Sequence, residues 1–176
     1  MSEIDKKNGP VAVTGASGYI GSRIVEDLLG QGYEVHACVR DSNNGKKVDH
    51  LIKLGNDAHN CDVQLFEGDL FEKGSYDDAF SGCISVIHAG ATVGFNRETP
   101  QEVYDGCFTE NEHLVESVKK AGSVKRFVFT SSFAAVAHPR PEGYVFAEED
   151  WCGDNVEAYK GCLLYTSDAA DEHSWV

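Results

Sequence analysis

No two of the six cysteines stand at C-x-x-C spacing, so neither a zinc knuckle nor a dithiol redox motif is written into this chain. Positive charge is scarce. Fifteen Lys and Arg against 29 Asp and Glu leave a net charge of -14, which repels nucleic acid and anionic membrane surfaces alike. No apolar run is long enough to span a bilayer. The opening residues "MSEIDKKNGP" contain no hydrophobic stretch and do not read as a secretory signal. Internal repeats and low-complexity linkers are missing too. From these absences we expect a cytoplasmic protein with reduced thiols, no metal, and neither a nucleic-acid nor a membrane partner. What remains is ordinary: 41% hydrophobic and 25% charged residues over 176 positions, enough for one domain with a core.

The chain is organised by alternation. "PVAVTG" is a β-branched run ending in glycine, and "YIGSRIVEDLLGQG" follows with Ile20, Ile24 and Leu28 on one helical stripe and Val25 and Leu29 beside it. "YEVHACVR" predicts a second strand, "GKKVDHLIKLGN" a short helix and "DVQLFEGD" a third strand. "GSYDDAFSG" predicts another short helix and "CISVIHAG" a fourth strand. "ETPQEVYDGCFTENEHLVESVKKAG" predicts a long helix and "VKRFVFTSS" a fifth strand. Strands alternating with helices imply right-handed crossovers and a parallel sheet. The expected fold is a doubly wound, Rossmann-type α/β sheet in the order 3-2-1-4-5, with a crevice between strands 1 and 4. After Ser132 the pattern fades and the sheet is expected to be incomplete.

"TGASGYIG" places Gly15, Gly18 and Gly21 at G-x-x-G-x-x-G spacing between strand 1 and the first helix. In that setting glycines permit a tight turn, a close approach of pyrophosphate to backbone, and close helix–strand packing. The helix start, with Ser17, Tyr19 and Ile20, then offers amides and a positive dipole end to phosphates. At the end of strand 2, where an NAD enzyme usually carries a ribose-binding carboxylate, stands Val39, followed by Arg40. A guanidinium can clasp a 2′-phosphate with two parallel hydrogen bonds. Lys46 and Lys47 add positive charge at the next helix. The predicted cofactor is therefore NADP(H). Asp41, about 20 residues past the last glycine, keeps the alternative of a carboxylate frame open. Asp69, at the end of strand 3, suits the adenine amino group, with Leu70 beside the ring. Ala89, Gly90 and Ala91, ending strand 4, are small enough to let backbone lie along the ribose and nicotinamide. His88 and His36 read as packed structural histidines.

The stretches "VAVTGASGYIGS", "VRDSNNGKKVDHL", "FEGDLFEKGSYDDAFSGCISVIHAGA" and "KRFVFTSS" together resemble the extended short-chain dehydrogenase/reductase family, in its dihydroflavonol reductase and cinnamoyl-CoA reductase branch. The resemblance covers roughly residues 10–135. It implies hydride transfer between NADPH and a small-molecule carbonyl or alcohol. It also implies a tyrosine proton donor with a lysine four residues later, which lowers the phenol's pKa, and a strand-5 serine on the substrate oxygen. By motif position that serine is Ser132, with Ser131 beside it. The alternatives are a nucleotide-sugar epimerase or dehydratase, a hydroxysteroid dehydrogenase, and a non-catalytic NADP-binding sensor. Residue types here say nothing about which substrate.

The Tyr-x-x-x-Lys pair itself is absent. Leu163 stands four residues after Tyr159, and Ala169 four after Tyr165. "CLLYTSDAADE", Cys162 to Glu172, is what TGT CTC TTA TAC ACA TCT GAC GCT GCC GAC GAR encodes, a DNA sequence resembling the adapter of transposase-based libraries. We therefore expect a truncated nucleotide-binding domain over 1–161 and a non-native tail over 162–176. As it stands, the chain is expected to be inactive, with Phe127, Val128 and Phe129 of the last strand short of cover.

Overall fold

A computed structural model describes residues 5–58, 61–91, 99–131, 140–147 and 149–150. Five strands, β1 (Val11–Thr14), β2 (Val35–Val39), β3 (Val63–Glu67), β4 (Ser85–His88) and β5 (Arg126–Phe129), form one sheet in the order β3-β2-β1-β4-β5. Every pairing is parallel, with Val11 opposite both Val35 and Ser85, Val35 opposite Val63, and Ser85 opposite Arg126. The helices between them are α1 (Tyr19–Gly30), α2 (Gly45–Asp57), α3 (Asp77–Phe80) and α4 (Pro100–Ala121). The parallel order and the crossover helices agree with the alternation read from the sequence.

The chain divides into two compact units. Residues 1–91 with 110–130 make the sheet unit, and 92–109 with 131–176 the other. In the sheet unit, β1 is buried along its whole length, as a central strand covered on both faces must be. One face packs Val13, Val35, Ala37 and Val39 under Val25 and Leu29 of α1 and Val48 and Leu51 of α2. The other packs Ala12, Cys38 and Val86 under Tyr76, Ala79 and Phe80 around α3 and Leu114 of α4. Ion pairs from Lys120 to Asp77 (2.5 Å) and from Lys73 to Glu116 (2.8 Å) tie α4 to the segment around α3.

Two details differ from the sequence pattern. The buried stripe of α1 is Gly21, Val25 and Leu29. Ile20, by contrast, is exposed, and with Ile24, Leu28 and Ile87 it lines an open groove along the helix. On β5, Phe127 packs against the core rather than standing bare, while Val128 and Phe129 are exposed as expected of an uncovered edge.

In the second unit the start of α4 carries a reciprocal cap. Thr99 Oγ1 accepts from the Glu102 amide at 3.2 Å, and Glu102 Oε2 accepts from the Thr99 amide at 3.0 Å. Pro100 occupies the first helical position, where its missing N–H costs nothing. Near the end of the described residues, Asp150 gathers Tyr144 Oη (2.6 Å) and the Ala147 amide (2.8 Å).

Candidate functional site

Because all five strands run the same way, the loops after β1, β2, β3 and β4 emerge along one edge of the sheet. Gly15 follows β1, Arg40 follows β2, Gly68 and Asp69 follow β3, and Ala89 and Gly90 follow β4. That edge is where a doubly wound sheet binds its ligand.

The glycine loop is built so that side chains are excluded. Gly15 has φ +64°, and a Cβ there would lie 2.7 Å from Gly90 Cα. A Cβ on Gly21 would lie 2.0 Å from the Gly15 carbonyl oxygen, so α1 starts pressed against the β1–α1 turn. The turn is closed by Gly18 N donating to Gly15 O at 3.0 Å, and is pinned to β2 by Ala16 N donating to Cys38 O at 3.2 Å. Gly18 is the cap of α1 and, being glycine, brings no side-chain bond to the first amides; among the described residues no other side chain is seen to bond them. The first amides of a helix have no partner within it, so this start presents donors and a positive dipole end to an anion. Ser17 is half-buried in the turn. The side chains of Tyr19 and Ile20 belong to the outer groove, so these two residues can serve a phosphate only through their amides.

Beneath the turn lies a polar connection that the sequence reading missed. Thr14 and His88, both buried, face each other across β1 and β4 with Oγ1 to Nδ1 at 2.6 Å. The Gly90 amide donates to the same Thr14 oxygen at 3.3 Å, and the Ala89 amide donates to Thr14 O at 3.3 Å. Thr14 Oγ1 already accepts from the Gly90 amide, so we assign its own proton to Nδ1, which puts the imidazole proton on Nε2. The histidine is further held by Phe129, whose ring centroid is 4.9 Å away, and by Thr130, which donates to the His88 carbonyl through both N and Oγ1. The one clue in the sequence is a polar residue closing the otherwise apolar "VAVT".

Burial pushes the His88 imidazole down to about 4. Its folded state thus favours the neutral ring, while the unfolded chain takes up a proton near pH 6.5. Stability from this group is complete above pH 6.5, falls as pH drops towards 4, and changes no further below that. Over that window we expect a loss of about 3 kcal/mol, absent in His88→Gln, whose amide also accepts from Thr14. Denaturant unfolding of both proteins from pH 7 to 4.5 checks this. Parallel curves would remove His88 as the cause.

At the far end of the edge, Arg40 is exposed, and among the described residues no hydrogen bond or ion pair engages its guanidinium. Lys46 and Lys47 are exposed at the start of α2. Asp69 is half-buried and locally committed: its Oδ1 accepts from the Phe71 amide at 2.9 Å, and its backbone is bracketed by Ser75 Oγ. Gly68 lies against the Tyr76 ring, where a Cβ would come within 2.6 Å. Burial pushes the Tyr76 phenol well above the ordinary range, so it is a packed, protonated tyrosine. Leu70 is a core residue with 8% exposure, and its carbonyl accepts from His113 Nδ1 at 3.1 Å. Ala89 and Gly90 are half-buried beside Gly15, and Ala91 is exposed. His36 is structural, bonding the Ala79 carbonyl at 2.7 Å against the Phe66 ring. Ser131 is exposed at the end of β5. Ser132, Tyr159, Tyr165 and the tail 162–176 lie outside the described residues. Among the described residues, no cluster of His, Cys, Asp or Glu that could hold a metal is found, and no helix is long and apolar enough to cross a membrane.

The chain's similarities fall on this nucleotide-binding architecture. Residues 11–161 match the family described as NAD dependent epimerase/dehydratase. A cinnamoyl-CoA reductase of Medicago truncatula is 41% identical over 171 residues, covering 94% of this chain and 52% of the relative. A dihydroflavonol 4-reductase of Arabidopsis thaliana is 44% identical over 142 residues, covering 80% of this chain and 37% of the relative. The chain therefore spans about half or less of the length of these relatives. Among solved structures, yeast methylglyoxal/isovaleraldehyde reductase complexed with NADPH superposes with a TM-score of 0.67 at 25% identity, over 92% of this chain and 51% of the yeast chain.

Proposed function

The chain belongs to the NAD dependent epimerase/dehydratase family, and from that membership we propose that the protein is an NADP-dependent oxidoreductase acting on a small-molecule carbonyl or alcohol. The observation that carries the cofactor choice is the end of β2, where buried Val39 stands in the carboxylate position and exposed Arg40 follows it, without an ion pair among the described residues. Three features support the dinucleotide: Gly15 and Gly21 press the β1–α1 turn and the helix start backbone to backbone, the N-cap Gly18 offers α1 no side-chain cap, and among the described residues no ion pair engages the Arg40 guanidinium. The amides of residues 19–21 would hold the pyrophosphate, which Gly18 lets approach the backbone, Arg40 and Lys47 the 2′-phosphate, and Asp69 the adenine. The strip Ala89–Ala91 would border the ribose and nicotinamide. When bound, NADPH supplies a hydride. The protein's own contribution is to orient the carbonyl, with Ser132 donating to its oxygen and Ser131 alongside; the Tyr-x-x-x-Lys proton donor that the family resemblance implies is not among these 176 residues. On this reading the 176 residues bind nucleotide without turnover, in the cytoplasm, with thiols reduced as Cys38, Cys61, Cys83 and Cys107 are here.

Arg40→Ala tests the proposal. Losing charge-assisted bonds to the 2′-phosphate costs about 1.5–3 kcal/mol, roughly ten- to a hundredfold in NADP+ affinity. NAD+ affinity is expected to stay within about twofold, since it has no 2′-phosphate to lose. Calorimetric titration with both nucleotides reads this directly. Equal losses for the two would remove Arg40 from the phosphate site.

A further inference from the structure

The loop that carries Arg40 is held from the neighbouring strand by one carboxylate. Glu67, the last residue of β3, lies opposite Val39 in the sheet register. Its Oε1 accepts two hydrogen bonds from Ser42, from the amide at 3.0 Å and from the hydroxyl at 2.7 Å. The same turn is closed from within by Asp41 Oδ1, which accepts from the Asn43 amide at 2.9 Å. The Gly68 amide donates to the Val39 carbonyl at 3.0 Å, fixing the strand end just before Arg40. Arg40 is thus the one long side chain between two anchored points, Val39 in the sheet and Ser42 on Glu67. The Glu67 carboxylate is taken up by Ser42, and among the described residues no ion pair engages Arg40.

We propose that Glu67 is a positioning residue for cofactor choice: by binding Ser42 through both N–H and O–H, it sets the turn over residues 40–44 so that Arg40 faces the 2′-phosphate. This rests on the reading of Arg40 as the phosphate ligand. The two can be separated because Glu67 acts only through its acceptor oxygen. Glu67→Gln keeps an oxygen able to accept both bonds, whereas Glu67→Ala removes it. A bare acid near the phosphate would act in the opposite sense, repelling it, so either substitution would then tighten NADP+ binding.

Dissociation constants for NADP+ and NAD+, measured by calorimetry without turnover, test the proposal in wild type, Glu67→Ala, Glu67→Gln, Arg40→Ala and the Arg40→Ala/Glu67→Ala pair. Amide exchange over residues 41–45 supplies a second readout. Glu67→Ala is expected to weaken NADP+ by about three- to tenfold, the range of one net hydrogen bond at an exposed site. NAD+ should be unchanged and exchange across the turn faster. Glu67→Gln should restore NADP+ binding to within about twofold. With Arg40 already removed, Glu67→Ala should have no further effect on NADP+. If Arg40→Ala weakens NADP+ selectively but Glu67→Ala does not, the positioning role is wrong and the Arg40 reading survives. If Arg40→Ala has no selective effect, both fall. Tighter NADP+ binding in both Glu67 variants, or equal weakening of the two nucleotides, also overturns the proposal.

Discussion

Gly21→Val is expected to destabilise the protein by about 3–5 kcal/mol and to weaken nucleotide binding about a hundredfold. The opposing terms can be compared. Replacing a helical glycine with a residue of higher helix propensity gains less than about 1 kcal/mol. Against that, any Cβ at position 21 would sit 2.0 Å from the Gly15 carbonyl oxygen and 2.9 Å from Ala16 Cα, both backbone atoms. Neither can swing aside as a flexible side chain would. Gly15 cannot yield, because its own φ of +64° and its approach to Gly90 leave it no room. The helix start must therefore lift away from the turn. That separates the amides of α1 from the phosphate position they are meant to serve. Thermal unfolding and NADP+ titration of the variant measure the two effects. A variant melting within a few degrees of wild type, with nucleotide affinity intact, would show that α1 does not need this contact.

Phe80→Ala is expected to cost as much stability, about 3–5 kcal/mol, while sparing the nucleotide site. Phe80 is fully buried and stacks on Tyr76 at a centroid separation of 5.4 Å, within the core that joins β1, β2 and β4 to α3 and α4. Its removal leaves a cavity bounded by rigid strands, which cannot collapse around it. The glycine loop and Arg40 approach the sheet edge from other elements. NADP+ affinity per folded molecule should therefore stay within about threefold of wild type. Denaturant melts give the stability change, and titration well below the midpoint gives the affinity. A large, selective loss of nucleotide binding would mean that the α3 core shapes the site directly.

Local sequence determines some of these elements far more tightly than others. Strand order and helix positions follow from local periodicity and from chirality rules that need no distant partner, so β1 to β5 and α1 to α4 fall where the sequence pattern puts them. Gly15 and Gly21 are legible for the same reason, since their roles are set within one turn. The Thr14–His88 bond joins residues 74 apart, and the Glu67–Ser42 bond residues 25 apart. Each depends on strand register, which no single segment encodes. Leu70 shows how position alone leaves a side chain's direction open. Its place after β3 suggests a contact with a ring, but an apolar side chain one step past a strand end can also turn inward, and the core there takes it. Tyr19 and Ile20 follow the same logic in reverse: the glycine motif points to their amides, and helix geometry sends their side chains to the outer groove.

The most direct measurement of the central claim is the position of the nucleotide in a crystal structure of the protein with NADP+. The pyrophosphate is expected over the turn from Gly15 to Gly21, in reach of the first α1 amides, with the 2′-phosphate against the Arg40 guanidinium and Ser42 still bonded to Glu67. A 2′-phosphate in solvent, with Asp41 on the ribose hydroxyls instead, would contradict it.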